Sequence, residues 1–148
     1  MNQNEKNIIS LAINILESEL KGVGVSMNTP NSVRDYLRLN IEILEHEVFS
    51  VMFLDTQNRL IEYKEMFRGT IDSASVYPRE IVKTGLKLNA AAVIFTHNHP
   101  SGYSEPSQAD VRLTARLKDA LSMVEIRVLD HIIVGRGEIT SFSERGLF

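Results

Sequence analysis

The sequence predicts a single α/β domain built around a mixed β-sheet. The first observation behind this prediction is the order of apolar patterns: two helical stretches, then strand, strand, helix, strand, helix, strand and strand. This is the order expected when helices pack on a sheet. The second is the short, wholly apolar run at 90–96, which is typical of a strand in the middle of a sheet that is covered on both faces. A chain of 148 residues is long enough to bury one such core.

Two helices are predicted before the first strand. The first spans 4–21 and ends at Gly22 and Gly24, and we expect it to pack through apolar residues at helical spacing. These residues are Ile8, Leu11, Ala12, Ile15 and Leu16. The second begins with Thr29 as N-cap and Pro30 at the first helical position. Its buried face should carry Val33, Leu37 and Ile41.

The rest of the chain alternates strands and helices. The apolar run at 48–54 and the strand at 59–67 form a hairpin around a polar turn, and Gly69 with Asp72 and Ser73 ends it. The remaining predicted elements are a helix at 78–88, a strand at 90–96, a helix at 106–122, and strands at 126–134 and 138–142. The helix at 78–88 should direct four residues towards the core, namely Ile81, Val82, Gly85 and Leu86.

Composition excludes several classes of protein. The hydrophobic share of 43% and the charged share of 24% are ordinary for a soluble globular protein. No run approaches the roughly 18 apolar residues that span a membrane. Residues 1–6 lack the basic-then-apolar order of a signal peptide, so we expect a cytoplasmic protein. Lys and Arg are scattered among the acidic residues, and the formal charge is −3, which does not favour nucleic-acid binding.

Two histidines with the spacing of metal ligands follow the apolar strand. His97 and His99 lie two residues apart, and in extended backbone such residues point to the same side. Asp110, in the first turn of the next helix, is the best candidate for a third ligand. Three such ligands and one water complete a tetrahedral zinc site, and zinc activates its water for hydrolysis. With no cysteine in the chain, any metal must be held by His, Asp or Glu.

A plainer interpretation of the same residues remains open. A His-x-His pair occurs by chance, and Ser107-x-x-Asp110 matches a capping box whose only role is to start a helix. Either interpretation is credible for its residues alone. The position of both histidines at the end of an apolar strand, facing an acidic helix start, favours a metal site.

Several motifs resemble those of a known family. His97-x-His99-Pro100 followed by Ser107-x-x-Asp110, with ten residues between His99 and Asp110, resembles the JAMM motif of JAB/MPN metalloprotease domains. The wider sequence resembles the bacterial RadC (UPF0758) family over about residues 27–148. The matching stretches are 53–55, 67–72, 77–80, 97–102, 129–135 and 144–147. The resemblance implies a cytidine-deaminase-like α/β sandwich, with a central mixed sheet flanked by helices. It divides the chain into an N-terminal helix at 1–26 and the RadC-like JAB/MPN domain at 27–148.

The resemblance also implies two catalytic residues. JAMM sites use an upstream Glu, at the start of a strand, as general base on the zinc-bound water, and Glu47 occupies the matching position. Glu42 and Glu45 are close in sequence, so this assignment depends on register. Ser107 matches the residue that helps to stabilise the developing oxyanion, and it could also cap the helix. A deaminase is disfavoured, because that chemistry needs His-x-Glu and Pro-Cys-x-x-Cys, and this sequence contains neither motif.

Three functions are compatible with these residues. The first is a Zn²⁺-dependent peptidase or isopeptidase that acts on a peptide or protein. The second is a DNA-repair or nucleic-acid accessory protein, as the RadC name suggests. Full-length RadC proteins carry an N-terminal helix-hairpin-helix region, which the single predicted helix at 1–26 is too short to form. The third is an interaction module without turnover. His131, which follows Asp130 in a predicted strand, is expected to be a structural histidine.

Overall fold

The protein is an α/β domain with a five-stranded mixed sheet flanked by helices, as predicted. The computed structural model describes residues 1–25, 30–71 and 75–148. Its elements are α1 (Gln3–Gly22), α2 (Pro30–Ile41), β1 (Val48–Leu54), β2 (Leu60–Arg68), α3 (Pro78–Lys87), β3 (Ala92–Asn98), α4 (Gln108–Ser122), β4 (Arg127–Val134), β5 (Ile139–Ser141) and α5 (Phe142–Arg145). The predicted N-cap Thr29 and the break at Asp72 and Ser73 lie outside the described residues.

The sheet has the strand order β2-β1-β3-β4-β5, which places β3 at its centre. The β3–β4 pair is parallel and the other pairs are antiparallel. The prediction that β3 ends at Thr96 was wrong by two residues. Pairing continues on both sides, with Phe49 opposite His97 and Asn98 opposite Val134. His97 therefore lies inside the central strand, where it is held by two neighbouring strands.

Each face of the sheet has its own apolar core. The core under α1 and α2 contains the helix residues Leu20 and Leu37 with the strand residues Met52 and Ile94. The core under α3 and α4 contains Phe53, Val93, Phe95, Ile81, Leu113 and Leu117. The predicted buried face of α2 is confirmed, because Val33, Leu37 and Ile41 are all buried.

The predicted packing face of α1 was wrong for Ile8, Leu11 and Ile15 and right for Leu16, which packs against the core. Ile8, Leu11 and Ile15 are 60–66% exposed, whereas Leu20 is 1% exposed. The helix carries apolar residues on more than one stripe, and the stripe that packs contains Ile13, Leu16 and Leu20. Within the described residues, no helix is long and apolar enough to cross a membrane.

In α3 the prediction was partly right. Ile81 and Gly85 are buried and Val82 is half-buried, but Leu86 is 56% exposed. A Cβ on Gly85 would lie 2.9 Å from the tip of the Ile126 side chain, so a larger residue at this turn of the helix would require that side chain to shift.

The predicted last strand is shorter than expected and leads into a helix. β5 ends at Ser141, whose side chain accepts a hydrogen bond from the backbone N–H of Glu144. Phe142, predicted to end the strand, begins α5 and is fully buried. Gly146 ends this helix in the left-handed conformation, at φ 64°.

Candidate metal centre

His97 and His99 present their rings to the same point at the end of β3. His97 shares the face of Phe95 towards α3 and α4, and it is 1% exposed. His99 follows the strand, where its N–H donates to the carbonyl of Val134 at 2.9 Å. The two Nε2 atoms lie 3.0 Å apart. The predicted convergence of the two imidazoles is therefore present.

Asp110 closes the cluster from the first turn of α4. Its carboxylate oxygens lie 3.3 Å from Nε2 of His97 and 3.3 Å from Nε2 of His99. The same carboxylate accepts the backbone N–H of Ser107 at 2.8 Å, and the Ser107 Oγ accepts the N–H of Asp110 at 3.0 Å. The capping box and the metal-type cluster thus coexist, because the box orients Asp110 towards the histidines.

In this cluster, atoms that accept hydrogen bonds face one another. His99 Nδ1 lies 2.8 Å from the carbonyl oxygen of Tyr103, which can only accept, so Nδ1 carries the hydrogen. The neutral ring then directs the Nε2 lone pair at His97 and at the Asp110 carboxylate. Such a cluster is stabilised by a shared proton or by a cation. The candidate ligand atoms of His97, His99 and Asp110 all lie within 4.8 Å of one another, so these residues could hold a metal ion.

The electrostatics of the cluster favour a cation. Burial alone raises the pKa of Asp110, but the neighbouring imidazoles of His97 and His99 outweigh it and hold the pKa well below its ordinary value. Burial lowers the pKa of His99, whereas Asp110 and the Tyr103 carbonyl raise it more, so the net pKa shift is upwards. The carboxylate is therefore ionised, and a proton on His99 can take the place of a metal.

Glu47 lies beside this cluster but outside it. The residue is half-buried before β1, and its Oε2 accepts the backbone N–H of Ile71 at 2.8 Å. Its charge is one of the contributions that raise the pKa of His99. Glu45 is exposed, and Glu42 instead accepts from Arg38 and from the N–H of Gly137. Of the three acidic residues that sequence left open, Glu47 is thus a charged neighbour of His99, whereas Glu42 is engaged by other partners.

Asn98 holds the segment that carries Glu47, a role that the sequence reasoning missed. Its Oδ1 accepts the N–H of Val48 at 2.8 Å, and its Nδ2 donates to the carbonyl of His46 at 2.9 Å. Asn98 stands between the two candidate ligands in the sequence and is buried. As the strand neighbour of His97, it points to the opposite face of the sheet. The only signal in sequence was its position inside the His-Asn-His triplet.

His131 is buried and hydrogen-bonded at both ring nitrogens. Its Nε2 lies 2.8 Å from His97 Nδ1, and its Nδ1 lies 2.5 Å from Thr114 Oγ1. Asp130 does not form a dyad with it, because the Asp130 carboxylate accepts from Ser141 Oγ at 2.6 Å and from the N–H of Ser143. Thr114 was also missed in sequence. Its one signal was its position one helical turn after Asp110.

The fold and the cluster together are those of a JAB-type α/β domain. The family model of the RadC-like JAB domain matches residues 27–147, and the chain belongs to this family. It is similar to UPF0758 proteins of Cellvibrio japonicus (57% identity over 94% of this chain and 62% of the relative) and Vibrio cholerae (57% identity over 96% of this chain and 89% of the relative). A UPF0758 protein of Pseudoalteromonas translucida is 62% identical over 81% of this chain and 54% of its own length.

The relatives' names state no reaction, substrate or nucleic-acid partner. The chain spans about three fifths of the length of the Cellvibrio relative, so the activity of a longer protein does not follow from this domain. The family membership therefore supports a JAB-type fold with a candidate metal centre, and the reaction is left to the residues of the site.

Proposed function

We propose that this domain binds one zinc ion through His97, His99 and Asp110 and hydrolyses an amide bond, peptide or isopeptide, in a peptide or protein substrate. One observation carries the proposal. Two imidazole Nε2 atoms lie 3.0 Å apart and 3.3 Å from the Asp110 carboxylate, in a largely buried cluster. Two nitrogens and one carboxylate oxygen are a donor set that catalytic zinc uses.

The chemistry follows from the number of ligands. Three protein ligands leave the fourth position of a tetrahedral site for water, and bound zinc lowers the pKa of that water to about 7. The low pKa of Asp110 keeps this ligand ionised at neutral pH.

Glu47 is assigned as the general base. Its Oε2 is held by the Ile71 N–H, so Oε1 is the atom that would accept the proton of the attacking water and deliver it to the leaving amine. Ser107 is assigned to oxyanion stabilisation. Its Oγ accepts the Asp110 N–H through a lone pair, so the hydroxyl hydrogen can be donated to a developing negative charge.

Glu47→Gln and Glu45→Gln form the matched pair that tests the base. Hydrolysis of a proteome-derived peptide library and of isopeptide-linked lysine peptides, read by mass spectrometry, should require zinc and stop on chelation. Glu47→Gln should keep its zinc and lose roughly 10²- to 10⁴-fold in rate. Glu45→Gln should match the wild type, because that side chain is exposed. Wild-type turnover by Glu47→Gln would show that the base is assigned wrongly.

Two further expectations from the sequence are separate from this proposal. A cytoplasmic location stays a prediction, as does the nucleic-acid role implied by the RadC name. The nucleic-acid role predicts a gel shift with duplex DNA at physiological salt. The peptidase proposal predicts no such shift.

A further inference from the structure

We infer that Thr114 and His131 are positioning residues that fix the tautomer of His97, so that its Nε2 lone pair faces the metal. The inference rests on the proposed metal centre, and it concerns residues that touch no substrate. The hydrogen bonds run from the main chain of α4, through Thr114 and His131, to the ring of His97. Each step follows from which atom can donate.

The first step is set by a main-chain carbonyl. The carbonyl oxygen of Asp110 can only accept, and the Thr114 hydroxyl donates to it at 2.8 Å. A hydroxyl has one hydrogen, so Oγ1 meets His131 Nδ1, at 2.5 Å, with a lone pair. His131 Nδ1 must therefore carry the hydrogen of this bond.

The second step passes through the His131 ring. The ring is 0% exposed and is enclosed by aromatic side chains, with Phe142 stacked at 4.6 Å and Phe49 and Phe95 in edge contact. Among the described residues, no carboxylate oxygen forms a hydrogen bond with either ring nitrogen. Such surroundings suit a neutral ring, whose single hydrogen is then on Nδ1 and whose Nε2 can only accept.

The third step reaches the ligand. His131 Nε2 lies 2.8 Å from His97 Nδ1, so His97 must donate from Nδ1. The lone pair of His97 is then on Nε2, which faces His99 and the Asp110 carboxylate. The opposite tautomer would direct an N–H into the centre and exclude a cation. Metal-binding histidines are commonly held in this way by a partner on the other nitrogen.

Asp110 takes part at both ends of this connection. Its side chain is a candidate ligand, and its main-chain carbonyl is the first acceptor. A helix that places the carboxylate correctly therefore also sets the tautomer of His97. Thr114 should influence the metal although its hydroxyl is hydrogen-bonded to Asp110 and His131 rather than to His97 or His99.

Thr114→Val and Thr114→Ser give the sharpest test. Valine keeps the shape of threonine and removes the hydroxyl, whereas serine keeps the hydroxyl and leaves a small void. We expect zinc affinity, measured by competition with a chromophoric chelator, to fall roughly 10- to 100-fold in Thr114→Val and to stay near wild type in Thr114→Ser. A role in packing alone predicts the opposite order, with serine the more damaging change.

His131→Gln and His131→Leu form an independent pair. Glutamine can place an acceptor near the position of Nε2, whereas leucine cannot. His131→Leu should weaken zinc binding and alter the visible absorption of the Co²⁺-substituted protein, and His131→Gln should restore much of both. If circular dichroism shows that Thr114→Val does not fold, the two His131 variants still test whether this hydrogen-bond connection controls zinc binding.

The outcomes separate the two proposals. If the wild-type protein takes up neither Zn²⁺ nor Co²⁺, the proposed function fails and the inference fails with it. If the wild type binds zinc and the valine and leucine variants bind it equally well, with unchanged Co²⁺ spectra, the inference alone is overturned.

Discussion

The two faces of β3 bury polar side chains for different purposes. On the face towards α2, Asn98 meets complementary partners, since its amide oxygen accepts an N–H and its amide nitrogen donates to a carbonyl. On the face towards α4, the Nε2 of His97 meets another imidazole nitrogen and a carboxylate, which are acceptors like itself. Both side chains are about 1% exposed.

The difference shows how a structural polar group can be distinguished from a candidate ligand. Burial of a polar group costs free energy unless it is hydrogen-bonded, and Asn98 is satisfied by the main chain. The cluster around His97 is not satisfied in this way, because lone pairs converge without enough hydrogens to separate them. A cation resolves that conflict, whereas Asn98 needs none.

The largest expected contrast is between Leu37→Ala, in the core under α1 and α2, and His99→Ala. Leu37 is fully buried, so Leu37→Ala should lower the free energy of unfolding of the metal-free protein by about 2–5 kcal/mol. His99→Ala should change the free energy of unfolding of the metal-free protein less than Leu37→Ala does. The same substitution should abolish the stabilisation by zinc, which reaches about 4 kcal/mol when free zinc is at a thousand times its Kd. Urea unfolding with chelator and with zinc checks both. If zinc still stabilised the His99→Ala protein, the distinction between a structural polar group and a metal ligand would be contradicted.

A smaller effect is expected from Asn98→Ala, with Thr96→Val as its control. Asn98→Ala leaves the Val48 N–H and the His46 carbonyl without a partner, which should cost about 1–3 kcal/mol. Hydrolysis should fall because Glu47 is no longer held, while zinc per folded chain stays unchanged. Thr96 Oγ1 is buried without a partner among the described residues, so Thr96→Val should be neutral or stabilising. Loss of zinc in a folded Asn98→Ala protein would argue against separate roles for the two faces.

The smallest effect is a pH dependence that zinc should reverse. Because the pKa of His99 is raised in the folded protein, protonation of this residue adds to the free energy of unfolding. This contribution is fully present below the unfolded pKa of about 6.5 and is lost as the pH rises through the folded pKa. Burial lowers the pKa of His131, whose contribution has the opposite sign. The His99 contribution is therefore measured as the difference in unfolding free energy between wild type and His99→Ala.

In metal-free protein this difference should shrink from pH 6 to pH 8. With excess zinc it should grow over the same range, because metal ligands must be deprotonated. Urea titrations at the two pH values measure it. The same sign of slope with and without zinc would be evidence against a metal bound by His99.

Sequence predicted those parts of the molecule whose signals are local. The apolar run of β1 has polar neighbours on both sides, so its bounds were predicted correctly. The end of β3 was not, because His97 and Asn98 interrupt the apolar pattern while backbone pairing with β1 and β4 continues. The packing face of α1 depends on where α2 lies, which helical spacing alone does not define.

The candidate site divides in the same way. His97, His99 and Asp110 lie within one short segment, so spacing and motif were enough to bring them together. His131 is 34 residues from His97 in sequence, and their contact requires β4 to lie next to β3. Neither that strand order nor the direction of the Thr114 hydroxyl can be read from periodicity. The connection from Thr114 through His131 to His97 could therefore be found only in the structure.

The metal content of purified protein tests the central claim most directly. Elemental analysis after expression in zinc-supplemented medium should find one zinc per chain in the wild type and in Glu47→Gln, and none in His99→Ala. Absence of zinc from the folded wild type, or an equal amount of zinc in folded His99→Ala, would contradict a zinc centre formed by His97, His99 and Asp110.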